Sequence, residues 1–361
     1  MSSTAISPGR SIWKKLRRNK GAVGGLFIIS ISIIIAVFAY FLAPDPSPFA
    51  NRMILEIGGQ SPGFRQTFLR IKKEKELNSS GFFSRLLYGK EETWTYLPIT
   101  THEHVGDSIR VQKRIDETLT ETQVYPLSAL ASDPVVNKKF FLGTDQYGRD
   151  ILSRLMVGTR VSLGVGLITV LLSLSIGVIL GALAGYFRGK TDDFIMWFIN
   201  VIWSIPTLLL VFAITLVLGK GFWQVFVAIG LTMWVNVARL VRGQVMGIRE
   251  LEYIEATRVM GYSHARTIFR HILPNIIGPV LVIAASNFAS AIVIEAGLSF
   301  LGIGVQPPQP SWGLMIKENY NFIITQNASL ALAPGVAIML LVLSFNLLGN
   351  ALRDAVDVRE G

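Results

Sequence analysis

Six apolar blocks, nearly free of charge, constrain this chain more than any other feature: residues 21–43, 161–187, 194–218, 222–240, 276–305 and 330–348. At a rise of about 1.5 Å per residue, each is long enough as a helix to cross roughly 30 Å of hydrocarbon. The apolar residues run together and do not recur at the spacing of an amphipathic helix, so the blocks read as membrane spans and not as a soluble core. The composition agrees. Charged residues make up 16% of the chain, against about one-quarter in ordinary globular domains.

The net charge of +10 would suit a nucleic-acid partner only if the cations formed one soluble patch, and they sit beside the apolar blocks instead. No nucleic acid is expected; membrane lipid is. The chain has no cysteine, which excludes disulfide frameworks, thiolate catalysis and cysteine metal sites. The four histidines are at 102, 104, 264 and 271. His102 and His104 flank Glu103 on a polar stretch with no metal-ligand spacing, so no metal is expected.

Charge placement gives a topology. Lys14, Lys15, Arg17, Arg18 and Lys20 precede the first block, which keeps its start cytoplasmic. A signal peptide has a similar basic start, but its apolar region is shorter, and a retained helix fits better. With six spans both termini are cytoplasmic. Arg188 and Lys190, then Arg239, Arg242, Arg249, Arg258, Arg266 and Arg270, then Arg353 and Arg359 all fall inside. The short outer connections carry only Lys220 and the Lys317–Glu318 pair. Residues 44–160 hold 16 Lys and Arg against 14 Asp and Glu, with prolines scattered among them. They read as a soluble extracytoplasmic insertion, since long translocated segments escape the charge rule. Residues 108–123 are charged enough for an exposed helix; the rest of the insertion has no clear period.

Two features inside the spans have plain readings. The run from Gly185 to Thr191 lacks both the first glycine and the preceding strand of a phosphate-binding loop, so Gly189 reads as a helix terminator and no nucleotide site is expected. Gly177, Gly181 and Gly185 form a small-residue stripe suited to close helix contact, in this chain or with a partner. Pro206, Pro279 and Pro334 are expected to be tolerated within their spans.

The segment between the fourth and fifth blocks is too polar to span and too patterned for a slack linker. Residues 248–260 are helix formers, Gly261 supplies a left-handed turn, and Ser263 can cap a second helix. In that helix Ala265, Ile268, Phe269, Ile272 and Leu273 share one apolar face, and Pro274 is expected to end it. Spacing alone fits either a hairpin presented to a partner or an interfacial helix on lipid headgroups.

Glu255-Ala256-Thr257, three residues, Gly261, nine residues, His271, one residue and Leu273-Pro274 resemble the EAA loop of bacterial ABC importer permeases. Thr257 stands where alanine is usual and His271 where isoleucine is frequent. Three further stretches, 141–150 (FLGTDQYGRD), 298–304 (LSFLGIG) and 306–313 (QPPQPSWG), resemble the C-type subunit of the dipeptide/oligopeptide/nickel permeases. The likeness covers the first helix and everything from about Phe140 onward. It leaves out residues 44–139, a longer insertion than such subunits usually carry.

The resemblance implies an all-α polytopic membrane protein of six helices, the type I ABC importer transmembrane fold, in the bacterial cytoplasmic (inner) membrane. It divides the chain into a basic tail and first helix (1–43), the insertion (44–139) and a permease core (140–361) with its coupling loop at 240–275. It also implies the partners: a second, B-type permease, two cytoplasmic ATPases that hold ATP and magnesium, and an extracytoplasmic binding protein delivering a peptide-like substrate. The chain itself would bind no cofactor and catalyse nothing. Glu255, Ala256, Thr257, Gly261, Ser263, Phe269, His271, Leu273 and Pro274 would form the ATPase-coupling loop, with Glu255 anchoring it and Gly261 setting its turn.

Polar residues at membrane depth are the pathway candidates: Asn200, Ser204, Asn287, Ser290 and Glu295. For the serines and asparagines an interhelical hydrogen bond competes with that role. Two other function classes fit the spans less well. A membrane-anchored receptor or scaffold does not need the glycine hairpin, and an ion-coupled secondary transporter would carry more intramembrane charge and an inverted repeat.

Overall fold

A computed structural model describes residues 13, 15–73, 81–116, 118–219, 221–324 and 327–356. Lys14, Lys220 and Arg359, used above for topology, lie outside these. The chain divides into two compact units. One is built on Ser162–Val305 with the chain ends, the other on Ile33–Val161 with Gln306–Ala337.

The elements are, in order, α1 (Lys20–Leu42), β1 (Phe64–Lys72), α2 (Phe82–Tyr88), β2 (Trp94–Val105), β3 (Ser108–Arg114), β4 (Thr120–Pro126) and β5 (Leu130–Phe140). There follow α3 (Ile151–Phe187), α4 (Gly189–Trp203), α5 (Thr207–Leu218), α6 (Phe222–Arg249), α7 (Glu252–Val259), α8 (His264–Thr267), α9 (Ile277–Phe300), α10 (Trp312–Asn319) and α11 (Ser329–Val356). Among the described residues five helical stretches are long and apolar enough to span a membrane: α1, α3, α6, the continuous rod His264–Phe300, and α11.

The sixth expected span, residues 194–218, is broken. Helices α4 and α5 meet at 89° across a short gap, and the block counts as one crossing only if this bent pair is taken together. Pro206 is the cause. It has no N–H to continue the ladder and disfavours helical geometry at Ile205. The chain restarts with Pro206 as the N-cap of α5, its carbonyl accepting from the Leu210 amide at 3.0 Å. The expectation that Pro206 would sit inside a continuous span is therefore corrected.

The insertion folds as a five-stranded antiparallel sheet in the order β4-β3-β2-β1-β5. Leu69, Ile99, Ile109, Val111 and Leu130 form one buried cluster; Ile54, Ile57, Phe68 and Phe140 form another. This overturns the exposed helix expected at residues 108–123. Ile109 and Val111 are buried while Arg110 between them is exposed, a period of two that suits a half-buried strand. Pairing with β2 and β4 outweighs the local charge.

In the unit built on Ser162–Val305, the glycine stripe has its partner within the chain. A Cβ on Gly177 would lie 2.5 Å from the Val237 Cβ, one on Gly181 2.5 Å from the Ala238 carbonyl, and one on Gly185 2.6 Å from the Arg242 carbonyl. Only glycine lets α3 approach α6 this closely. At the same end of α6, Arg242 grips Asp192 with two bonds of 2.5 and 2.6 Å.

Candidate functional site

The segment after α6 forms the expected hairpin, and its turn is a complete Schellman motif. Gly261 adopts φ +77°. The Tyr262 amide donates to the Thr257 carbonyl at 3.0 Å and the Gly261 amide to Arg258 at 2.9 Å, the paired bonds that satisfy a helix's last carbonyls. The Met260 amide bonds the Ala256 carbonyl at 3.0 Å. Ser263 caps α8, its hydroxyl accepting from the Arg266 amide at 3.3 Å. Thr257, where alanine is usual, is buried; its hydroxyl donates to the Ile254 carbonyl at 2.7 Å and lies 3.2 Å from the Thr267 hydroxyl. The two arms are joined from within.

Two expectations for the second arm change. Pro274 does not end the helix; it lies inside the rod His264–Phe300. A π-turn at Ile268–Ile272 followed by a 3₁₀ turn at Leu273–Ile276 absorbs it, with the Leu273 amide reaching back to the Ile268 carbonyl. Widened turns of this kind accommodate the missing proline donor. Asn275 adds a bond from its side chain to the His271 carbonyl at 2.6 Å.

Nor is the apolar face a single stripe. Ile268, Ile272 and Ile276 are buried with Tyr186, Val241, Val245 and Ile254, which fixes the hairpin to its own transmembrane helices. Phe269 and Ala265 stay outside, and Leu273 is half-buried. The altered turn geometry divides the face into a buried base and an exposed edge.

That exposed edge is extensive. Phe269 is 68% exposed, Val259 89% and Met260 62%, with Tyr253 also open. Glu255 is exposed in the first turn of α7, and among the described residues no ion pair holds it. Side-chain contacts brace the base beneath. Tyr186 Oη lies 2.9 Å from His264 Nδ1, the Arg258 guanidinium stands over the Tyr186 ring, and Arg188 pairs with Glu250 at 2.5 Å. This last contact holds the Glu250 carboxyl below its usual range. The His271 ring stacks on Tyr262, their centroids 5.7 Å apart.

The pathway candidates separate. A cavity of about 200 Å³ opens at the break between α4 and α5, lined by Trp203, Ile205, Thr207, Thr232, Asn236 and Ser290 among others. Of the shortlist only Ser290 lines it. Asn200 accepts from Arg239 at 2.8 Å, and that guanidinium lies 3.6 Å from the Trp203 ring centroid. Ser204 bonds the Val201 carbonyl in the turn, and Asn287 reaches Ser173 at 3.4 Å. Glu295 is fully buried and accepts from Ser299 at 2.6 Å; the Ser299 hydroxyl also accepts from the Val305 amide. Sequence reasoning missed Thr207, Thr232 and Asn236. A polar side chain within an apolar block was the available signal, and Asn236 met it.

Comparison with known proteins now bears on this arrangement. The family described as "Binding-protein-dependent transport system inner membrane component" matches residues 177–360, which is half of the chain and includes the hairpin and the cavity. The chain belongs to that family. A second family, described as the N-terminal TM domain of oligopeptide transport permease C, matches residues 7–56. The glutathione transport system permease protein GsiD of Pectobacterium atrosepticum is 42% identical over 60% of this chain and 72% of its own length. The nickel transport system permease protein NikC of Escherichia coli is 40% identical over 60% of this chain and 78% of its own. The dipeptide transport system permease protein DppC of Alkalihalophilus pseudofirmus is 34% identical over 98% of this chain and 91% of its own. That last alignment runs through the insertion, so a segment of this kind is shared with at least one relative. With its apolar helices and these permease relatives, this transport-system component is a multi-pass inner-membrane protein.

Residues 141–150 hold a buried charge network in the other unit. Asp145 accepts from the Tyr147 and Arg149 amides and pairs with the Arg149 side chain at 2.6 Å. Glu318 receives Arg149 at 2.7 Å and Arg154 at 3.0 Å. Ser311 caps α10, and Trp312 donates to the Leu155 carbonyl at 3.0 Å. These contacts tie residues 145–155 to helix α10.

Proposed function

We propose that this permease forms one wall of a pathway for short peptides or comparable small solutes, driven by cytoplasmic ATPases that dock on the hairpin at 252–276. A second permease supplies the opposite wall, and an extracytoplasmic binding protein delivers the substrate. The observation that carries the reading is the hairpin's division into a buried base and an exposed edge of Val259, Met260 and Phe269 beside Glu255. An apolar edge of this kind, unburied by its own chain and rimmed by charge, suits a protein groove. Because Ile254, Ile268 and Ile272 pack against Val241 and Val245 of α6, a displacement of the edge is passed to the spans, a coupling between distant sites through packed elements.

The substrate class rests on the relatives, whose names include dipeptide, glutathione and nickel transport. The cavity at the α4–α5 break suits the pathway role. Broken helices in membranes expose backbone where a polar solute is handled, and the lining offers neutral donors and acceptors from Thr207, Thr232, Asn236 and Ser290. Both termini lie in the cytoplasm in this reading, and the sheet of the insertion lies outside, in accord with the cations around the hairpin.

The test is co-purification of a nucleotide-binding subunit with the full chain, together with substrate-stimulated ATP hydrolysis, for Phe269→Ala and Glu255→Ala. Both side chains are exposed, so the melting temperature should hold while retention of the ATPase falls. Unchanged retention and stimulation in the double variant would reject the docking assignment.

A further inference from the structure

Helix α2 is seven residues long, none of them buried, and four carry large apolar side chains into the open: Phe82 (59% exposed), Phe83 (76%), Leu87 (60%) and Tyr88 (69%). A helix this short does not hold itself together in water. It is fixed by contacts to the end of α1. The Phe82 ring lies 5.3 Å from Phe41, and Arg85 covers the other ring contact, its guanidinium 4.4 Å above Phe41. Gly89 ends the helix at φ +82°, where a Cβ would come within 2.7 Å of the Pro46 carbonyl.

Arg160 completes the attachment. Its guanidinium donates to the carbonyls of Leu86 (2.6 Å) and Leu87 (3.2 Å) in the last turn of α2, and to those of Ala36 (2.5 Å) and Val37 (2.8 Å) in α1. The backbone of α1 kinks at Phe38 (φ −97°, ψ 18°), next to the two carbonyls that Arg160 reaches. One cation thus clasps a helix terminus to a kinked span through four backbone acceptors, over the Tyr40 ring.

The clasp also sets a depth. Ala36 and Val37 precede the end of α1 at Leu42 by five or six residues, about 8–9 Å along the axis at 1.5 Å per residue. That matches the roughly 5–10 Å to which interfacial helices sink their apolar face. The exposed side chains of α2 continue the outward surface of the span itself, where Ile34, Phe38 and Leu42 are open.

We propose that α2 is a membrane foot, an interfacial helix whose Phe82, Phe83, Leu87 and Tyr88 enter the lipid boundary beside α1, with Arg160 as the residue that positions it. The occupant of this face is the bilayer, because the face is continuous with the exposed apolar side of a helix long and apolar enough to span a membrane. The foot tethers the sheet of the insertion to the membrane surface through residues 89–93, which lead from α2 into β2.

The absence of cysteine allows the test in the full chain. Single variants Phe83→Cys and Leu87→Cys, spin-labelled and reconstituted in vesicles of phosphatidylethanolamine and phosphatidylglycerol, report collisions with oxygen and with a water-soluble nickel chelate. Ile34→Cys serves as the lipid reference and Thr101→Cys, exposed on β2, as the aqueous one. Both foot labels should favour oxygen over the chelate several-fold more than Thr101→Cys does, approaching Ile34→Cys. Water-like values at either foot site overturn the proposal, and so does low access to both reagents, which would mean that protein covers the face. Arg160→Met should loosen the foot and reduce the oxygen preference several-fold; unchanged label depth in that background removes Arg160 from the positioning role.

Discussion

Replacing Gly261 separates the shape of the hairpin from the stability of the fold. Gly261 sits at φ +77° with nothing within 4 Å of where a Cβ would stand. A side chain there meets no neighbour, and its cost is purely conformational. An L-residue held in this region loses about 1–2 kcal/mol, and a β-branched one is a genuine outlier. If valine instead leaves the region, the turn gives up the bonds from Tyr262 to Thr257 and from Gly261 to Arg258, each worth about 0.5–1.5 kcal/mol. Either route costs about 1–3 kcal/mol, a shift of roughly 5- to 150-fold in the population of correctly shaped hairpins. Asparagine tolerates the left-handed region and should lose little; alanine should fall between. The assay is substrate-stimulated ATP hydrolysis in the reconstituted complex, run beside thermal melting of the chain. We expect stimulation to fall in the order Gly, Asn, Ala, Val with little change in melting, because the buried base is untouched. Normal stimulation in Gly261→Val, or equal damage from Asn and Val, would refute the reasoning.

Three other perturbations probe different parts of the molecule. Gly181→Val should force α3 off α6, since its Cβ would stand 2.5 Å from the Ala238 carbonyl; overpacking of about 1–3 kcal/mol should appear as a lower melting temperature, whereas Gly164→Val, with no neighbour within 4 Å, should melt normally. Glu318→Gln removes a carboxylate shared by two guanidiniums that are 1% exposed, and an uncompensated buried charge costs about 3–5 kcal/mol, a loss that denaturation of the purified protein would register. Lys138 is pushed down to about 8 from 10.5, first by burial and then by Arg52. Below pH 8 both folded and unfolded chains hold this proton and the folded state bears the full burial cost; between about 8 and 10.5 only the unfolded chain holds it, so stability rises with pH. Lys138→Met should therefore stabilise by up to about 3 kcal/mol at neutral pH, at 1.36 kcal/mol per pKa unit. The gain, offset in part by the lost contact with the Tyr96 ring, should vanish above pH 10.5 in melting curves.

The hairpin was legible in the sequence because its signals are local. Gly261 and Ser263 each act within one turn of chain, and both take the roles their chemistry suggests. The sheet was hidden because its signal is spread across strands. Ile109 and Val111 look like strays in a charged stretch until β2 and β4 lie beside them. The polar lining of the cavity was legible only at Ser290: Asn236 carries the same signal and was passed over, and only folding divides residues that line a cavity from those, such as Asn287, that bond a neighbouring helix.

The two prolines show why hydropathy alone could not place the helix ends. Pro206 and Pro274 both remove a backbone donor, and the expectations for them were opposite to the outcomes. At Pro206 the flanking residues Ser204 and Ile205 are exposed, so little packing opposes the bend, and the chain turns by 89°. At Pro274 the flanking Ile268, Ile272 and Ile276 are all buried in one cluster with Val241 and Val245. Breaking the rod there would expose three isoleucines, about 1.5–3 kcal/mol each, whereas widening one turn sacrifices at most a bond or two of about 1 kcal/mol. The helix therefore bulges and continues. Hence the arm of the hairpin and the span beyond it form one uninterrupted helical stretch, His264–Phe300.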